Sequence, residues 1–311
     1  MDINKFTLFS YLSIKEKLLL PLDKFLSNDE IINICKKLQF KNNFFPLPFF
    51  LPATENDLKK LNGDKIELFY NKKFFGTVNI KTISSFNKEL VCNLLFKNKK
   101  SNHPFKEYLD SCGNYVIETC SLIKGREPKR KRNLIGFATR NIPHKGHEKI
   151  IKHFTKRKSK VLINIFENST NNKKINSDNS FKSYKKFIKL NNLRNKVFLK
   201  KIKLPSFLLG PRQAAIHAIV GKNLSCEHYI IGRDHSGYKK FYGENESFKF
   251  CKKNEKKLKI KILESGSPVY CKRSNQIVFK KDCNSNDFID ISATLIRNTK
   301  NKKLKKTLSN F

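Results

Sequence analysis

His144 and His147 stand three residues apart in the stretch GFATRNIPHKGHE (136–148), with Gly146 between them and Arg140 just upstream. Three chemistries suit that spacing: a metal site, a phosphate site, or an ordinary helix start. A zinc site needs three or four ligands, and no third Cys or His lies close by in the sequence, so the metal reading is the weakest. Phosphate binding asks less. A helix opening at Gly146 offers free N–H groups and the positive end of its dipole to an anion. The two imidazoles can add hydrogen bonds to phosphate oxygens as charge builds in a transition state. Three more stretches carry similar chemistry: GPRQAAIHA (210–218), GRDHSG (232–237) and ISATLIRNTK (291–300). Arg233 has the forked donors that suit phosphate or sulfate. The plainer readings stand beside these. Arg233 and Asp234 can form a local ion pair, His217 can pack on its helix face, and Ser292 can simply cap a helix that exposes Arg297.

The elements that must hold these residues follow from the apolar pattern. From about residue 129, strands alternate with helices. Strands are expected at 133–139, 160–166, 196–202, 228–232 and 257–263, and helices at 146–156, 180–191 and 211–223. A last helix is expected over 292–308, and 168–180 reads as a polar loop. Such alternation argues for a parallel sheet with helices on its faces. Ligands bind outside the carboxyl ends of such strands, which is where Thr139, Arg140 and Gly232 fall. Before residue 128 the pattern is β-rich. Two strands flank Asn71-Lys72-Lys73, another covers 114–123, and clear helical periodicity appears only over 27–38, with Ser27 or Asn28 as cap. The run GREPKRKR (125–132) reads as a solvated linker.

Composition narrows the class of protein. The chain has 311 residues, 39% of them hydrophobic, enough for a real core. Its formal charge of +39, from 65 Lys+Arg against 26 Asp+Glu, favours anionic ligands. That charge is spread along the chain and is not gathered into a nucleic-acid stripe. The eight cysteines never form C-x-x-C, so scattered reduced thiols in a cytoplasmic protein are expected. The first residues, MDINKFTLFSYLSIKEK, carry an acid at position 2 and no cleavage site, and read as mature chain. No run approaches the ~18–20 apolar residues of a membrane helix.

A strand running into H-x-G-H resembles the nucleotidyltransferases that act at the α-phosphorus of a nucleotide. The full set ATRNIPHKGHE, GPRQAAIH, GRDHSG and ISATLIR, in that order, resembles the sulfate adenylyltransferase (ATP sulfurylase) family. PLDKFLSNDE, FFPLPFFLPATENDLKKLNGDKIELF and HPFKEYLDS extend the resemblance through the first part of the chain. The resemblance implies an α/β Rossmann-like nucleotidyltransferase domain with a parallel sheet (129–311), preceded by a β-rich PUA-like domain (1–128). It implies adenylyl transfer from ATP, taken as its Mg²⁺ complex, to sulfate, giving adenylyl sulfate and pyrophosphate. Carried over residue by residue, Thr139, Arg140, Asn141, His144 and His147 form the catalytic stretch. The nucleotide is held by these five with Ala138, Gly232, Arg233, Asp234, His235, Ser292 and Thr294. Arg140 and the Ser236 amide hold sulfate. ATP and sulfate are the expected partners, with copies of the same chain as a further one. Nucleic acid and membrane are not expected.

Departures from the family pattern cluster near the acceptor. Ala138 stands where the family has a sulfate-contacting glutamine, and Ile142-Pro143 replaces Pro-x. Gln213 replaces an acid, and Ala293 replaces a glycine. Zinc-bearing members have Y-C-x-x-C with a later Cys and His; here only YCKRS and Cys283 remain, so no zinc is expected. No G-x-x-x-x-G-K-[ST] occurs, so no fused kinase is expected. Two alternatives therefore stay open: a nucleotidyltransferase acting on a different anionic acceptor, and a degenerate RNA-binding homologue.

Overall fold

The computed structural model describes residues 1–96, 102–156, 158–167, 176–233, 235–238, 241–284 and 286–310. The chain opens with α1 (Lys5–Lys15) and α2 (Asn28–Lys37), then the short strands β1 (Gln39–Phe40), β2 (Asn43–Phe44) and β3 (Leu51–Ala53). Next come α3 (Glu55–Lys59), β4 (Lys65–Tyr70), β5 (Lys73–Ser85), α4 (Lys88–Phe96), α5 (Pro104–Ser111) and β6 (Tyr115–Thr119). Strands β3, β6, β5 and β4 form an antiparallel sheet in that order. Ser27 caps α2 through a capping box with Glu30, as the sequence pattern suggests. The helices α1, α3, α4 and α5 do not show in the periodicity. In α1 most side chains are buried, so it carries no single apolar stripe to read.

The second part runs β7 (Leu134–Thr139), α6 (Lys145–Phe154), β8 (Lys160–Phe166), α7 (Ser177–Leu190), β9 (Val197–Ile202), α8 (Gly210–Asn223) and β10 (His228–Ile231). It continues with α9 (Glu246–Lys253), α10 (Glu255–Leu258), β11 (Lys261–Glu264), β12 (Pro268–Cys271), β13 (Gln276–Phe279), β14 (Phe288–Asp290), α11 (Ala293–Asn298) and α12 (Lys302–Leu308). The parallel sheet has the order β11-β10-β7-β8-β9. The chain leaves β7 in one direction for β8 and β9, then returns to add β10 and β11 on the other side. The crevice between the ends of β7 and β10 is thus the topological switch point, where doubly wound sheets bind ligands.

Helix α8 is buried along nearly its whole length, Arg212 being half-buried. It lies between the parallel sheet and the first part of the chain, within one continuous core that runs from Ile3 to Ile262. Gly136 and Gly221 let this sandwich close, because a Cβ on either would lie 2.4 Å and 2.2 Å from the Tyr229 ring. Arg212 fastens the layers. Its guanidinium donates to the Pro46 carbonyl at 3.1 Å and to the Cys35 carbonyl at 3.0 Å.

Four expectations need correction. Lys257 and Leu258 end a helical turn, and the strand expected over 257–263 begins only at Lys261, because Lys259 takes a left-handed φ of 56°. The helix expected over 292–308 is two helices: Thr299 is extended, and Asn301 starts the second by accepting from the Leu304 amide. The loop expected over 168–180 ends earlier, since Ser177 opens α7 under an Asn176 cap, and 168–175 lies outside the described residues. Cys271 and Cys283 are not free thiols but form a disulfide, with Cα atoms 5.9 Å apart. It ties the end of β12 to the segment before β14, in an antiparallel sheet of order β13-β12-β14 that the sequence reading missed.

Candidate active site

At the switch point lies a cavity of about 310 Å³. Ala138, Thr139, Arg140, Asn141, His144 and His147 line it from β7 and the start of α6. Gly232, Arg233, His235 and Ser236 line it from the end of β10, and Ser292, Thr294 and Arg297 from α11. Asp234, expected beside them, lies outside the described residues. Every other residue expected at the site faces this one space.

The geometry separates the two histidines. His144 is the N-cap of α6 but makes no capping bond, so its side chain does not quench the helix's first N–H groups. Its ring stacks on His147, with centroids 3.8 Å apart, and its buried Nδ1 has no partner. His147 is spoken for. Its Nδ1 faces the Tyr184 hydroxyl at 3.2 Å, and the ring also bonds the Ile142 carbonyl. Both rings are held neutral. Burial, then the Arg297 charge, lowers the His144 pKa to about 4. Burial, then His144, sets His147 well below the ordinary value against the pull of the Ile142 carbonyl.

Arg140 is half-buried. Its Nη1 donates to the Ser206 hydroxyl at 3.2 Å, and its backbone carbonyl accepts from the Ser180 hydroxyl at 3.1 Å. Thr139 Oγ1 accepts from the Asn141 amide at 3.1 Å and also meets Tyr184. Arg233 pairs with Asp290 at the end of β14, which draws the GRDHSG turn toward α11. At α11 Ser292 caps the helix, its hydroxyl accepting from the Leu295 amide at 3.1 Å, while it also lines the cavity. Arg297 is exposed yet not idle. It reaches Asn141 Oδ1 and Thr294 Oγ1, each at 3.3 Å, joining the first and last motifs.

Sequence reasoning missed three contributors. His217 does not merely pack on its helix. It is 6% exposed, lines the cavity, and stacks on Phe166 with centroids 4.0 Å apart. Gln213, one turn earlier on the same face of α8, bonds it. The i, i+4 spacing was the available signal. Tyr184, fully buried on α7, gave none. Among the described residues no three His, Cys, Asp or Glu side chains gather as a metal site. Nor, among them, is any helix long and apolar enough to cross a membrane.

The family model described as ATP-sulfurylase matches residues 118–305, and that described as a PUA-like domain matches 1–118. The chain is 26% identical over 304 residues to a sulfate adenylyltransferase of Persephonella marina, covering 89% of this chain and 79% of that one. It is 24% identical over 326 residues to a sulfate adenylyltransferase of Carboxydothermus hydrogenoformans, covering 96% and 85% respectively. Among solved structures, a hexameric APS kinase from Thiobacillus denitrificans superposes with a TM-score of 0.65 at 12% identity. That match covers 96% of this chain but 57% of the other, and it speaks to fold alone.

Proposed function

This chain belongs to the ATP-sulfurylase family, and we propose on that premise that it transfers the adenylyl group of ATP to sulfate, giving adenylyl sulfate and pyrophosphate. The observation that carries the proposal is convergence. Four separated stretches with anion-binding residues meet in one cavity at the switch point of a parallel sheet.

The reaction is an in-line displacement. A sulfate oxygen forms the bond to the α-phosphorus, and the bond from that phosphorus to the bridging oxygen breaks, releasing pyrophosphate. Sulfate carries no proton to remove, so no general base is needed, and positioning and charge stabilisation supply the catalysis. In this reading Arg140 and the Ser236 amide hold sulfate. Gly232, Arg233, Asp234, His235, Ser292, Thr294 and the backbone at Ala138 hold the nucleotide, brought as its Mg²⁺ complex. His144 offers its imidazole to the phosphates. His147, clamped by Tyr184, fixes the stack beneath it, with Thr139 and Asn141 shaping the turn. The same reading takes residues 1–128 as the PUA-like unit and 129–311 as the catalytic one. It also makes the protein a cytoplasmic homo-oligomer.

The test is pyrophosphate release from MgATP by the purified protein, with and without sulfate. Release only with sulfate supports the proposal. Release with another oxyanion and not with sulfate overturns it in favour of a different acceptor. The relatives favour neither that alternative nor RNA binding.

A further inference from the structure

Ser247 is buried in the first turn of α9, where a hydroxyl needs a partner. Its Oγ reaches out of the helix and donates to the His235 carbonyl at 3.0 Å. Two residues earlier the Asn245 amide donates to the Arg233 carbonyl, also at 3.0 Å. The start of α9 thus grips two carbonyls of the turn after β10. It does so from behind: among the described residues none from α9 lines the cavity, whereas Arg233, His235 and Ser236 do.

The His235–Ser236 peptide is trans, so its C=O and N–H point in opposite directions. Holding the carbonyl against α9 aims the Ser236 N–H the other way, to the side on which Ser236 lines the cavity. Serine does not prefer that arrangement. Ser236 has a φ of 59°, in the left-handed region. Turning this peptide over would carry φ into the extended region that L-residues favour, and would swing the N–H away from the cavity. The Ser236 carbonyl is held separately, by the Gly210 amide at 3.1 Å. The His235–Ser236 plane is therefore the one that can turn, and Ser247 is the side chain that holds it. We propose that Ser247 is a positioning residue whose hydroxyl keeps the His235–Ser236 peptide from turning over, so that the Ser236 amide stays aimed at the acceptor anion. The anion half rests on the reading of Arg140 and the Ser236 amide as the sulfate holders; the orientation half does not.

Ser247→Ala removes the hydroxyl and little else. In the full chain carrying isotope-labelled serine, backbone couplings and chemical shifts report φ at Ser236. They should read left-handed in the original protein and extended in Ser247→Ala. A left-handed Ser236 in the variant overturns the orientation half. Steady-state pyrophosphate release should then show the KM for sulfate raised at least about tenfold, the share of a hydrogen bond to a charged ligand, with the KM for ATP unmoved. Adding Ser236→Gly to Ser247→Ala should bring the sulfate KM back toward the original, because glycine takes the left-handed conformation without steric cost. A merely loosened α9 would raise both KM values, and Ser236→Gly would not repair it; either result overturns the positioning role. If φ changes and the sulfate KM does not, the anion half is overturned and the orientation half stands. If the original protein releases no pyrophosphate with sulfate, the sulfate reading falls and takes the anion half with it, while φ at Ser236 still decides the orientation.

Discussion

The hydroxyl of Tyr184 lies 3.2 Å from His147 Nδ1 and also meets Thr139, so one buried phenol on α7 holds a residue on each side of the β7–α6 turn. Tyr184→Phe keeps the ring and removes only this clamp. Losing it strands buried polar partners, at a cost of about 1–3 kcal/mol in stability. A looser His147 should lower kcat by roughly tenfold, about 1.4 kcal/mol in the barrier, with little change in the KM for ATP. Urea unfolding and steady-state pyrophosphate release check the two halves. An unchanged kcat would show that the clamp is only structural.

The buried imidazoles make stability depend on pH. His144 and His235 have folded pKa values of about 4, against an ordinary 6.5. Below pH 6.5 the unfolded chain takes up protons that these two folded rings do not, so the stability they account for falls as pH drops from 6.5 to about 4, where their share levels off. Each group contributes a loss on the order of 3 kcal/mol across that window, and none above it. Urea midpoints at pH 8, 6 and 4.5 should show the slope, and His144→Asn should make it shallower, since the other buried rings remain. An equal slope in that variant refutes the assignment to His144.

Ala138 pairs in register with Asn164 and lines the cavity with a methyl group. Ala138→Gln should add a donor at the acceptor end. A hydrogen bond to a charged ligand is worth roughly 1.5–3 kcal/mol, so the KM for sulfate should fall at least about tenfold while that for ATP stays put. No change in either would mean that Ala138 does not face the acceptor.

Arg212 holds two backbone carbonyls with one planar fork. Lysine has the charge but not the fork. Arg212→Lys should therefore cost about 2 kcal/mol, measured as a lower denaturation midpoint. A midpoint equal to the original would make the fork dispensable.

Much of the second part was legible. The inner strands β7, β8 and β10 of its parallel sheet are mostly buried and read as apolar runs such as KVLINIF. The turns after β7 and β10 carry Gly, Arg and His together, a composition that marks an anion site in the sequence itself. What stayed hidden depended on distant contacts. Tyr184 meets His147 across 37 residues. Cys271 meets Cys283 because the turns around β13 bring the chain back, which a separation of 12 residues does not announce. Helices α4 and α5 are short and give few turns from which to read a period. The tail was read through its break because Thr299-Lys300-Asn301 has no Gly or Pro, only an Asn cap.

Helix α8 carries Gln213 and His217 on one side and is gripped at Pro46 and Cys35 through Arg212, the residue next to Gln213. The first part of the chain is therefore the back plate against which this wall of the cavity is registered, not an accessory hung beside it. A relative that exchanged this part for another would need to re-seat α8. A shift of the loop around Pro46 would reach the cavity wall through Arg212 and α8.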